Sequence, residues 1–140
     1  MVGFVVATHG RLAEELLHTA EGIVGPVEAC EAVSIGASGS SMDDCRARLG
    51  DAVKRVDSGE GVLVLTDMFG GTPANLALTF LDDKLEVVTG VNLPMILKLA
   101  TARGENLSLR AAAELATNYG QKNITLASEL LRTRARPSRQ

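Results

Sequence analysis

The stretch VGFVVATHG, residues 2–10, is an almost unbroken apolar, β-branched run that ends in a histidine and a glycine. Continuous runs of this kind mark strands covered on both faces, as in a parallel sheet, whereas a half-exposed strand alternates polar and apolar residues. A second run, GVLVLTD at residues 61–67, has the same character and ends in an aspartate. A helical pattern follows each run. After His9, RLAEELLHTAEGIVG places Leu12, Leu16 and Ala20, with Leu17 and Val24 beside them, on one apolar side, and Gly25-Pro26 ends the helix.

The remaining elements fall into the same rhythm. A more mixed strand over residues 27–35, carrying Glu28 and Glu31, suits a sheet edge. GASGSS then makes a loop, and Ser41 with Asp44 three residues on predicts a capped helix to about Val56, with Met42, Cys45, Leu49, Val53 and Val56 on its apolar stripe. Past Asp67 come MFGGTP, a helix over residues 73–81 and a strand around LEVVTG. A loop and helix in VNLPMILKLATARG, a helix in SLRAAAELATNYG and a short final strand in KNITLAS follow. Strands alternating with helices in so short a chain predict an α/β fold: a flavodoxin-like, doubly wound, mainly parallel sheet of order 2-1-3-4. In such a sheet ligands collect outside the carboxyl ends of the strands, at the switch point between strands 1 and 3. His9 ends the first and Asp67 the third, so the two are expected to meet there.

Composition narrows the chemistry. With 140 residues, 46% of them hydrophobic, the chain is read as one domain over residues 1–130 followed by a basic, disordered tail over 131–140. Formal net charge is -3 and the one cluster of like charge is the terminal RTRARPSRQ, which argues against a nucleic-acid face on the folded body. No apolar stretch approaches the ~20 residues of a membrane helix, and the N-terminus lacks a basic n-region and cleavage site, so no membrane insertion and a cytoplasmic location are expected. Cys30 and Cys45 are not spaced as a metal knuckle or redox pair and read as buried, inert thiols. His18, among Glu14, Glu15 and Glu21, reads as a surface residue.

The pair at the switch point carries the chemistry. A carboxylate that accepts a hydrogen bond from one ring nitrogen fixes the tautomer of an imidazole and leaves the other nitrogen as nucleophile or base; Nδ1 toward Asp67 and Nε2 toward solvent is the expected arrangement. Asp67 alone could instead be a helix cap. In FGGTP, Pro73 suits the first position of a helix and Thr72 its N-cap, while Gly70 and Gly71 let the backbone approach a ligand and point successive N–H groups at it. Gly70, Gly71 and Thr72 are thus the expected phosphate seat, and an imidazole beside an anion seat suggests phosphoryl transfer. Neither G-x-x-x-x-G-K-[ST] nor G-x-G-x-x-G is present, so no nucleotide cofactor is expected and the phosphoryl group should come from another protein. His9 with Asp67 supplies too few ligands for a metal, and no G-x-S-x-G elbow suggests a hydrolase.

With THG, LTDMFGGTP and GVNLPM in this order, the sequence resembles, from residue 2 to about residue 128, the mannose-family enzyme IIA component of the bacterial phosphoenolpyruvate-dependent sugar phosphotransferase system. The resemblance implies that His9 is phosphorylated by the phosphocarrier HPr and passes the group to a IIB component in sugar uptake, with Asp67 as partner to the histidine. It also implies a homodimer in which a late antiparallel strand, here within KNITLAS, pairs across subunits. The chain carries no fused IIB domain and no Ala/Pro-rich linker toward one, which opens the alternative of a stand-alone regulatory phosphoprotein whose phosphorylation state controls partner binding. The related dihydroxyacetone-kinase phosphocarrier does not usually have GGTP after strand 3. Response-regulator receivers take phosphate on an aspartate ending strand 3, but they need an acidic pair where Thr8-His9 stands and a lysine that TGVNLP lacks.

Overall fold

The computed structural model describes residues 1–36, 39–103 and 106–135. The chain runs β1 (Gly3–His9), α1 (Leu12–Val24), β2 (Cys30–Ile35), α2 (Met42–Val56), β3 (Val62–Thr66) and α3 (Thr72–Leu78). It continues through β4 (Leu85–Thr89), α4 (Leu93–Ala102), α5 (Leu109–Lys122) and α6 (Ala127–Ala135). The four strands pair in parallel in the order β2-β1-β3-β4, as expected from the sequence.

The apolar runs lie at the centre because both faces of β1 and β3 are covered. Phe4, Val6, Leu63 and Leu65 face a core shared with Ala13 and Ala20 of α1, Ile96 and Leu99 of α4 and Ala116 of α5. Val5, Ala7, Val62 and Val64 face the other core, with Cys45, Leu49 and Ala52 of α2 and Leu76 and Ala77 of α3. Helix starts are fixed by side-chain oxygens that accept otherwise unpaired N–H groups. Ser41 accepts from Asp44 at 3.0 Å, Asn92 from Met95 at 3.0 Å and Ser108 from Ala111 at 3.2 Å. At the amino edge of the sheet the Arg103 guanidinium lies 4.1 Å from the Phe4 ring centroid and donates to the carbonyls of Val2, Glu28 and Ala29, closing that edge.

Several local expectations are corrected. β2 starts at Cys30, not residue 27, and α3 ends at Leu78, not residue 81. On α1 the fully buried positions are the small Ala13 and Ala20, with Leu12 45% exposed, and Met42 of α2 is 57% exposed. KNITLAS forms no strand in the single chain: residues 123–126 link α5 to α6, and from Ala127 the chain is helical. The tail expected to be disordered from residue 131 is helical through residue 135; residues 136–140 lie outside those described.

Parallel pairing brings the carboxyl ends of all four strands to one edge. Thr66 is registered with Ala7 and Ile35 with His9, so Asp67 leaves β3 beside the last residues of β1. Leu49 is wholly buried in the second core. Leu49→Ala should lower the unfolding free energy by roughly 2–5 kcal/mol, the usual cost of such a cavity, measured by urea denaturation.

Candidate functional site

The connection from β1 to α1 is only Gly10 and Arg11. Gly10 adopts φ +55, a left-handed conformation that glycine reaches without a Cβ penalty, and the chain turns there directly from strand into helix. The Gly10 N–H donates to the Ile35 carbonyl at 3.1 Å and its own carbonyl accepts from the Ser34 hydroxyl, which pins the turn to β2. His9 therefore stands on well-tied backbone with its side chain 48% exposed.

Asp67, whose side chain is 16% exposed, meets it twice through Oδ2, at 2.8 Å from the His9 ring Nδ1 and 3.2 Å from the His9 backbone N–H. Burial pushes the Asp67 carboxyl up, but the hydrogen bonds from the His9 ring and backbone, with a further one from its own N–H, outweigh it and hold the group below the ordinary carboxylate value. An ionised carboxylate only accepts, so Nδ1 carries the ring proton of the neutral imidazole and Nε2 keeps its lone pair. The pair predicted from two distant strand ends is thus brought together, with Nδ1 toward Asp67.

The glycine-rich segment lies on the other side of the ring. Gly70, at φ +82, makes the turn. Gly71 comes so close that a Cβ on it would stand 2.7 Å from His9 Cε1 and 3.4 Å from Nε2, so no larger residue fits without displacing the imidazole. The N-cap of α3 is Gly71, one residue before the expected Thr72, which instead opens the first turn ahead of Pro73 and makes no side-chain cap. The shift follows from Pro73, which is accommodated at either of the first two helical positions. The segment still offers the N–H groups of Gly71, Thr72 and Ala74, none of which has a partner within the helix. With seven residues, α3 supplies these groups locally and little macrodipole. Met68 and Phe69, 55% and 78% exposed, form the outer rim.

Two features were not read from the sequence: Thr8, a wholly buried hydroxyl one residue before His9, and the apolar rim at Met68 and Phe69. A signal for the first existed in Arg11, which stands at the N-cap of α1 without an oxygen able to cap it. Cys30 is far from reactive, since burial pushes its thiol up to about 12 despite the nearby Arg103. Among the described residues no group of three or more His, Cys, Asp or Glu could hold a metal, and no helix is long and apolar enough to cross a membrane.

An open parallel sheet with an imidazole–carboxylate pair at the switch point, beside a glycine-rich helix start, defines the class as an α/β protein with a histidine site at the carboxyl edge of its strands. Comparison with known proteins narrows the class: the chain belongs to the EIIA-man family, whose model, described as the PTS system fructose IIA component, matches residues 3–117. It is 32% identical over 125 residues to the PTS system mannose-specific EIIAB component of Escherichia coli, covering 88% of this chain but 38% of that one. The chain thus spans under half of that relative's length. It is 29% identical over 133 residues to the PTS system fructose-specific EIIA component of Bacillus subtilis, covering 94% of this chain and 90% of that one. Among solved structures, the mannose/sorbose-specific IIA subunit from Enterococcus faecalis superposes with a TM-score of 0.78 at 32% identity, covering 89% and 92% of the two chains.

The depressed Asp67 value fixes the sign of a pH effect. Its contribution to stability is complete above the ordinary carboxylate value near ~4 and is lost as the pH falls through the lower folded value. The stability difference between the wild type and Asp67→Asn should therefore be largest near neutrality and shrink as the pH falls below the ordinary carboxylate value, measured by denaturation at each pH.

Proposed function

We propose that this chain is a phosphohistidine carrier that accepts a phosphoryl group from HPr and passes it to a IIB component in sugar uptake. The observation that carries this reading is the 2.8 Å contact between Asp67 and Nδ1 of His9, which leaves Nε2 as the reactive nitrogen beside Gly71. The Nε2 lone pair attacks the phosphorus, the new N–P bond forms as the bond to the donor's imidazole breaks, and the electron pair leaves with that donor. Asp67 holds the ring in line and offsets the positive charge that develops on it as the second nitrogen is bonded. The backbone N–H groups of Gly71, Thr72 and Ala74, with Gly70 making the turn, receive the phosphoryl oxygens, and transfer to IIB runs the same step in reverse.

Incubation with phosphorylated HPr should label the wild type and leave His9→Ala unlabelled, with the label stable to alkali and labile to acid. Gly71→Ala, whose Cβ displaces the ring, should lower labelling by about tenfold or more. Labelling that survived in His9→Ala and vanished in Asp67→Ala would overturn the assignment. A labelled protein that passed its phosphoryl group to no IIB component would favour the regulatory alternative, in which about -1.5 to -2 added charges alter partner binding.

The same proposal includes a homodimer. Ile124, Leu126, Leu130 and Leu131 are 78%, 71%, 45% and 63% exposed, an apolar stretch that a second copy would cover. Light scattering should give twice the 14.7 kDa chain mass, and Leu126→Asp with Leu131→Asp should give the single chain.

A further inference from the structure

We propose that Thr8 is a positioning residue for the phosphoryl acceptor, acting through the backbone of His9 and the first turn of α1. The proposal rests on the carrier reading of His9. Thr8 is 0% exposed, and on a strand whose preceding side chains are all apolar a buried hydroxyl needs partners for both its proton and its lone pairs. It has both. Its Oγ1 accepts the Ala13 N–H at 2.7 Å and donates to the His9 carbonyl at 3.2 Å.

Those two bonds do work that the local sequence leaves undone. Ala13 is the second residue of α1, whose N–H ordinarily finds the N-cap side chain, but Arg11 at that position makes no such bond. Thr8 caps the helix from inside the sheet, five residues upstream. Through its own proton the same oxygen fixes the peptide that follows His9. The His9 peptide groups are then held on both sides, the N–H by Asp67 Oδ2 and the carbonyl by Thr8. The Cα–Cβ direction of His9 is set by that peptide, and the 2.8 Å Nδ1 contact with Asp67 depends on that direction. A shift of the turn by a fraction of an ångström loosens the ring from the carboxylate and turns Nε2 away from Gly71, while touching neither nitrogen directly. Positioning losses of this kind are large, on the order of 100-fold for a misplacement of about 1 Å.

Thr8→Val keeps the shape and removes the hydroxyl, and Thr8→Ser keeps the hydroxyl and removes the methyl. Ser108→Ala is the control for stability alone, because it removes a helix cap of the same kind at the start of α5, by the opposite edge of the sheet where Leu109 packs on Gly61. Two measurements are made on all four proteins: the rate and KM for phosphorylated HPr, and the proton NMR signal of the His9 Nδ1–H. Thr8→Val should lose at least about tenfold in maximal labelling rate at unchanged KM and should broaden or lose the Nδ1–H signal. Thr8→Ser should restore both, and Ser108→Ala should leave both as in the wild type while lowering the melting temperature. An unaltered ring signal in Thr8→Val, or equal losses in Thr8→Val and Thr8→Ser, would overturn the proposal. If phosphorylated HPr failed to label the wild type, the carrier reading would fall, and the ring signal would still decide whether Thr8 orients His9.

Discussion

One hydrogen bond, 2.8 Å from the Nδ1 of His9 to the Oδ2 of Asp67, joins residues 58 apart in the chain, and the rest of the structure can be understood as what makes that bond possible. It requires two strand ends at the same level on neighbouring strands, which the parallel β1–β3 register provides. It requires those strands to be buried on both faces so that they do not slide, which the two cores provide. It also requires the chain to leave each strand abruptly. Gly10, at positive φ, makes the exit from β1, and Asp67 directly follows the last residue of β3.

The site is organised by backbone more than by side chains. Asp67 holds the ring of His9 and its N–H, Thr8 holds its carbonyl, and Gly71 fills the space against its free edge with no side chain at all. Around this polar centre the exposed surface is apolar at Met68 and Phe69. The opposite edge of the sheet is closed by Arg103, whose bonds to three carbonyls and stacking on Phe4 tie the starts of β1 and β2 to the end of α4.

Much of this was legible in the residues themselves. The two continuous apolar runs announced buried parallel strands, their polar ends located the pair, and Ser41 marked the start of α2 at the bond it makes with Asp44. What escaped did so for physical reasons. Pro73 is accommodated at either of the first two helical positions, so it left the N-cap uncertain between Gly71 and Thr72. KNITLAS is β-branched enough to resemble a strand, but a strand exists only with a neighbour, and sequence does not show whether one is supplied. Thr8 was hidden because threonine is ordinary in a strand, and its importance comes from the failure of another residue, Arg11, to cap the helix that follows.

The half-exposed imidazole has a consequence for chemical lifetime. The His9 side chain is 48% open to solvent, at the end of β1 just before a two-residue turn tied to β2. A phosphoryl group on Nε2 would be open to water as well as to a partner protein. On the carrier reading proposed above, such a site is suited to brief custody of an activated group, whose lifetime is set by a race between water and the next protein.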